Sequence, residues 1–99
     1  MATTLVQQYE VIYSANTFSP RIGLVNSGRF FGQLVFHPNG AALPPDGVIN
    51  SQINLHYHLD DFENCFALLR SERTVYLSYN GSGPGFENSL VTAETVPGT

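Results

Sequence analysis

The sequence predicts an α+β fold: a curved antiparallel sheet of five to six strands, in the order β-β-β-β-α-β-β, with one α-helix over about residues 60–72 packed on one face. Three observations carry that expectation. Period-two alternation recurs in short segments before residue 60, a single apolar stripe at helical spacing follows, and two further extended segments flank a glycine-rich connection. The 99 residues, 42% of them apolar, suffice for one domain over residues 1–99 with one core.

The first strand is read from Leu5, Tyr9, Val11 and Tyr13 on one face against Gln8, Glu10 and Ser14 on the other. The turn-rich interval Ala15-Asn16-Thr17-Phe18-Ser19-Pro20 ends it. Residues 21–25 follow, with Ile22 and Leu24 on a shared face, and Asn26-Ser27-Gly28 separates them from residues 30–37. The second and third strands therefore form a hairpin. In the third, Phe30, Leu34 and Phe36 are expected to face one way and Phe31, Gln33, Val35 and His37 the other. Both faces are partly apolar, which suits a mid-sheet strand covered on both sides.

His37-Pro38-Asn39-Gly40 and Leu43-Pro44-Pro45-Asp46-Gly47 are turns, because proline presets φ, aspartate bonds nearby backbone and glycine accepts positive φ. They read as a connector across one end of the sheet. The fourth strand, residues 52–58, alternates most cleanly: Ile53, Leu55, Tyr57 and then Leu59 point one way, with Asn54, His56 and His58 opposite. Asp60 as N-cap and Glu63 three residues on resemble a capping box, and acidic residues in the first turn favour the helix dipole. Phe62, Cys65, Phe66, Leu68 and Leu69 form the buried stripe, with Arg70 and Arg73 in the last turn.

Residues 74–79 are the fifth strand and residues 86–95 the sixth. Between them, Asn80-Gly81-Ser82-Gly83-Pro84-Gly85 leads into a strand rather than a helix, so it is a hairpin loop and not a phosphate cradle. A helix of this length spans roughly 15 to 20 Å and cannot cover six strands. A second copy is the expected cover, packed on the sheet face or paired along an edge.

Composition removes several functions. Eight acidic residues stand against four bases, all arginine (Arg21, Arg29, Arg70 and Arg73), for a net charge of −4. Nucleic-acid binders cluster cations against phosphates, so a nucleic-acid partner is not expected. With no lysine, a catalytic lysine is excluded. The 12% charged fraction is half the usual level of about 25%, which suggests a partnered surface. The single cysteine, Cys65, lies on the apolar helix face without a thiolate-stabilising cation nearby in sequence. No long apolar run or basic leader occurs, so the expectation is a cytoplasmic protein with no membrane contact.

The chemistry on offer is histidine. Side chains at alternate strand positions lie about 6.5 to 7 Å apart, so His56 and His58 could each give a nitrogen to one metal. A third ligand would have to come from His37, Asp60, Asp61 or Glu63. His56-Tyr57-His58-Leu59-Asp60-Asp61 resembles the metallo-β-lactamase signature, but Asp61 stands where that signature needs histidine, and no histidine follows His58. His56, His58 and Glu63 are similar to the first cupin motif, yet Asn50 and Arg70 fall on its glycines and its second motif is missing. The four-strands-then-helix order is loosely similar to Whirly and PUR-type modules, whose single-strand binding does not carry over to a chain this poor in bases. No Gly-x-Ser-x-Gly elbow occurs.

The reading leans away from an enzyme. It expects a non-catalytic interaction or regulatory domain, acting as a homodimer or with a protein partner, without cofactor, whose binding surface is Asn54, His56 and His58. The alternative is a small metal- or ligand-binding protein using His56 and His58.

Overall fold

The chain hands its hydrogen bonds from one sheet to another within two residues near its start. In the structure, a computed structural model that describes residues 2–15, 17–72, 74–83 and 85–92, the elements are β1 (Ala2–Leu5), β2 (Gln8–Ile12), β3 (Arg21–Asn26), β4 (Arg29–His37), β5 (Gly47–Ile49), β6 (Gln52–His58), a 3₁₀ turn (Leu59–Asp61), α1 (Phe62–Ser71), β7 (Val75–Tyr79) and β8 (Ser89–Thr92). The Val6 N–H donates to the Val75 carbonyl and the Gln7 N–H to the Val25 carbonyl. The extended N-terminal segment thus serves β7 first and β3 next, and joins a three-stranded sheet, β1-β7-β8, to a five-stranded one, β2-β3-β4-β6-β5.

The α+β class and the dominance of antiparallel pairing are as the alternation predicts. Three details differ. First, the described residues form two sheets and eight strands rather than one sheet of five or six. The predicted first strand covers β2 and meets β1 only at Leu5, β1 itself starting earlier at Ala2, and β5 is a three-residue edge strand too short to leave a periodic signal. Second, β4 and β6 run parallel, in register from Gly32↔Ile53 to His37↔His58. The chain passes β6's position, forms β5 and returns through Asn50 and Ser51, both at positive φ as a two-residue hairpin turn requires. Third, the register of β3 against β4 shifts between Leu24 and Val25, as at a β-bulge. That shift puts Phe30 on the face opposite Leu34 and Phe36. Its ring lies over Gly23, where a Cβ would come 2.8 Å from it, and Phe31 packs on the core instead.

The β3–β4 and β7–β8 hairpins form where the sequence places them. Of the predicted sixth strand, β8 occupies residues 89–92, while residues 93–95 lie outside the described residues, as does Arg73. The helical segment runs from Leu59 to Ser71, and its start departs from the predicted capping box. Asp60 lies in the 3₁₀ turn, Asp61 is the cap residue of α1, and neither the turn nor the helix has a side-chain cap bond. Asp60 is instead held by Asn39: its N–H donates to Asn39 Oδ1 at 2.8 Å, and its carboxylate accepts from Asn39 Nδ2 at 2.9 Å. Arg70 ends the helix with its guanidinium 5.1 Å from the Phe66 ring centre.

The core draws on both sheets and the helix. Ile22 and Leu24 of β3, Leu34 and Phe36 of β4, Leu55 of β6, Phe62, Cys65 and Leu69 of α1, and Val75 and Leu77 of β7 are all buried. Each of the larger apolar side chains contributes roughly 1.5–3 kcal/mol by leaving water. The cover that a short helix could not give is therefore supplied in part by the chain's own three-stranded sheet. Phe36 sits at the centre, stacked on Tyr57 at 5.8 Å and edge-on to Phe62 at 4.9 Å between ring centres.

The parallel ladder depends on Gly32, where a Cβ would meet the Ile53 carbonyl oxygen at 2.8 Å. Gly32→Ala forces β4 and β6 apart and should cost about 1–3 kcal/mol in urea unfolding. Gly47→Ala, with no atom within 4 Å of its added Cβ, is the control and should stay within about 0.5 kcal/mol of the parent.

Candidate functional site

Period-two alternation on β6 puts Leu55 in the core and turns Asn54, His56 and His58 to the outer face, as the sequence predicts. The in-register parallel ladder then sets Gln33 of β4 beside Asn54, Val35 beside His56 and His37 beside His58. The three residues meet different fates.

Asn54 is used up inside the sheet. It is 8% exposed, accepts from Gln33 Nε2 at 2.7 Å and donates to the Gln52 carbonyl at 3.2 Å. It pins neighbouring strands rather than forming part of an open surface. His56, half-buried, brings its Nδ1 to 2.8 Å from Nε2 of His37, with the two rings tilted by 39°. A neutral imidazole has one donor and one acceptor, so this bond requires one ring to donate and the other to accept. His58 places Nε2 2.7 Å from the Ala41 carbonyl. A carbonyl only accepts, so His58 carries a proton on Nε2.

The residue that organises these contacts is Asp46. Its Oδ1 accepts from the His56 backbone N–H at 2.8 Å, and its Oδ2 accepts from Asn88 Nδ2 at 3.1 Å. Asn88, just before β8, also donates to the Gly81 carbonyl at 2.8 Å and accepts from the Asn80 N–H at 2.7 Å. Asp46 thus ties the end of the β4–β5 loop to β6 and to the β7–β8 hairpin. The sequence predicts Asp46 as a turn aspartate bonding its own backbone. The Pro-Pro-Asp-Gly context is the same whether the carboxylate reaches inward or across to another strand.

All three histidines of the chain consequently border one loop, residues 38–46. His37 opens it, His58 holds Ala41 in its middle, and the His56 N–H holds Asp46 at its end. Asn39 adds the fourth anchor through Asp60. Between this loop and the β7–β8 hairpin lies an open cleft of about 330 Å³ lined by Leu43, Pro44, Pro45, Asp46, His56 and Gly83.

Electrostatics follow from this packing. Burial pushes the His56 pKa below its ordinary 6.5, the neighbouring His37 lowers it further, and Asp46 opposes both. Burial pushes the Cys65 thiol up to about 11, with Asp61 adding to it, and raises the Tyr57 phenol above its ordinary range. A thiol in that state is a core hydrophobe rather than a nucleophile.

The arrangement does not build a hydrolytic triad. Asp46 bonds the backbone of His56, so it does not orient an imidazole ring. Among the described residues no three His, Cys, Asp or Glu side chains are grouped to hold a metal ion, and none of Asp60, Asp61 and Glu63 joins His56 and His58. Nor does any buried side-chain nitrogen or oxygen among them lack a hydrogen-bond partner. No family model matches the chain, and neither a curated protein nor a solved structure matches it.

A lowered His56 pKa has a definite sign in stability. The unfolded chain binds the proton near pH 6.5 and the folded chain binds it less well, so stability is full above that pH and falls as pH drops through it. Urea unfolding at pH 7.5 and pH 5.5 should show the loss, and His56→Gln should reduce it. A pH-independent midpoint in the parent would show that His56 titrates alike in both states.

Proposed function

We propose that this chain is a non-catalytic interaction or regulatory domain that acts as a homodimer in the cytoplasm. The observation that carries the reading is the edge of the five-stranded sheet. β5 is its terminal strand, and Val48 and Ile49 are 54% and 64% exposed there. An apolar edge strand with free backbone groups is a template for another strand, and of the devices that blunt one (shortness, lysine, proline or a bulge) β5 has shortness alone. This chain has no lysine, and β5 is the tripeptide Gly47-Val48-Ile49. A second copy offers the same edge, so antiparallel β5–β5 pairing about a two-fold axis extends both sheets at once.

The rest of the outer face supports a role without chemistry. The imidazoles of His37, His56 and His58 are bonded within the chain, and the one cysteine is buried. A second reading, a small polar ligand held beside His56, has the cleft between the β4–β5 loop and the β7–β8 hairpin in its favour.

Sedimentation at micromolar concentration should return a dimer mass, and Ile49→Lys should shift it toward monomer while leaving the far-UV circular dichroism unchanged. A strictly monomeric parent ends the dimer reading. Metal analysis of protein purified without a histidine tag should find no stoichiometric ion. Stoichiometric metal that disappears in a His56→Ala, His58→Ala double variant would overturn that expectation.

A further inference from the structure

We propose that the cleft between the segment Thr17–Pro20 and the start of the β4–β5 loop binds a small uncharged molecule with an apolar body and one hydrogen-bonding group, anchored on His37. This site goes beyond the homodimer reading and does not rest on it, because no residue of β5 lines it. Nor does it share a lining residue with the cleft beside His56.

The cleft forms where three elements end. The Phe36 N–H donates to the Pro20 carbonyl at 3.0 Å, and Arg21 Nη1 donates to the Ser19 carbonyl at 3.4 Å. These two bonds hold the segment before β3 beside the end of β4. Facing it are Pro38, where the chain leaves β4, and Leu59, where it leaves β6. Phe36 lies beneath, fully buried and edge-on to Phe62. The enclosed space is about 370 Å³, near the lower end of the roughly 300–1,000 Å³ of ligand pockets, which suits one ring rather than a large molecule.

The lining sets the chemistry of the occupant. Phe18, Pro20, Phe36, Pro38 and Leu59 supply apolar surface, and the polar residues are Thr17, Ser19 and His37. Among the described residues the lining holds no carboxylate and no arginine. An ion entering there would give up water without meeting an opposite charge, so the occupant is uncharged. Phe18 calls for an apolar body. Its ring is 69% exposed, and an apolar occupant resting on it removes that surface from water.

The anchor follows from the histidine pair. His37 Nε2 is engaged by His56 Nδ1 at 2.8 Å, and among the described residues nothing bonds His37 Nδ1 or His56 Nε2. In a neutral pair the shared bond ties the states of these two outer nitrogens together. When His37 donates, its proton is on Nε2 and its Nδ1 offers a lone pair, while His56 accepts through Nδ1 and carries its proton on Nε2. When His56 donates, both assignments reverse. His37 Nδ1 can therefore meet either a donor or an acceptor, and the choice is recorded on His56, which lies outside the cleft.

Nuclear magnetic resonance at pH 8, where a free imidazole is neutral, tests this with four probes of one ring each. Phenol donates a hydrogen bond, acetophenone only accepts one, toluene does neither, and benzoate is charged. Phenol and acetophenone should give saturable amide shifts at Phe18, His37 and Leu59 with half-effect near or below ~1 mM. Toluene should bind several-fold more weakly and benzoate not at all. The imidazole ¹⁵N shifts should show His56 Nε2 more protonated in the phenol complex than in the acetophenone complex. Phe18→Ala should weaken phenol binding about fivefold or more and leave the far-UV circular dichroism unchanged, because that ring is not part of the core. His37→Leu should remove the preference for phenol over toluene; if it does not fold, the two parent complexes carry the test of the anchor. No saturable shift with any uncharged probe up to about 5 mM overturns the site. So does benzoate binding as tightly as phenol, or undiminished phenol binding in Phe18→Ala. Equal protonation of His56 Nε2 in the two complexes overturns His37 as the anchor.

Discussion

The parallel pairing of β4 with β6 is the constraint on which the rest of the outer face depends. Adjacent parallel strands cannot be joined by a tight turn, because the chain must return to the same end of the sheet before it runs again in the same direction. Here the return is made by residues 38–51, without a crossover helix. The loop leaves β4 at His37, passes the end of β6's position, descends as β5 and turns at Asn50 and Ser51 into β6 itself. β6 is therefore slotted between β4 and its own hairpin partner. That threading brings a proline-rich loop against a strand whose outer side chains are imidazoles.

A loop in that position presents a hydrogen-bond problem. Three residues of β5 pair with β6 from Gln52 to Asn54, and among the described residues no strand pairs with that edge of β6 beyond Asn54. Buried or half-buried backbone donors there need partners. Asp46 meets the need at the His56 N–H, and Asn39 does the same for the Asp60 N–H beyond the strand's end. Side-chain oxygens thus continue the ladder that β5 is too short to complete. The same Asp46 reaches Asn88, so the edge of the five-stranded sheet is linked to the hairpin of the other sheet by one carboxylate. At the opposite end, the Val6 and Gln7 amides join the sheets through the main chain. The core between them, centred on Phe36, is closed by covalent continuity on one side and by Asp46 on the other.

What was legible in the sequence follows from how local each feature is. The alternation of Ile53, Leu55 and Tyr57 against Asn54, His56 and His58 is a property of one strand, and the structure keeps it. The stripe of Phe62, Cys65 and Leu69 is a property of one helix, and it is buried. The β3–β4 hairpin was legible because Asn26-Ser27-Gly28 is turn chemistry, with Ser27 and Gly28 both at positive φ. Pairing direction is not local. Nothing in residues 30–37 or 52–58 distinguishes a parallel from an antiparallel neighbour, and β5 carries too few residues to announce itself. The capping box failed for a related reason: Asp60 has the right chemistry for a cap, but Asn39 offers its N–H and its carboxylate a reciprocal pair that the local sequence does not contain. Phe30 was misplaced because a register shift changes face without changing composition.

His56 and His58, spaced as a ligand pair, show why spacing alone is a weak guide to chemistry. An i, i+2 arrangement fixes which face two rings occupy and says nothing about what their nitrogens meet. In this fold the rings part company: His58 turns to a carbonyl of the loop, and His56 turns to a histidine on the neighbouring strand. The contact that matters was set by the parallel register, which places Val35 rather than His37 opposite His56, so that the His37–His56 bond is a diagonal one. Among the described residues no carboxylate bonds either ring, so nothing there fixes the pair's tautomer as a carboxylate fixes a histidine oriented for catalysis or for a metal. Its donor and acceptor can exchange roles, and the bond tolerates one added proton but not two.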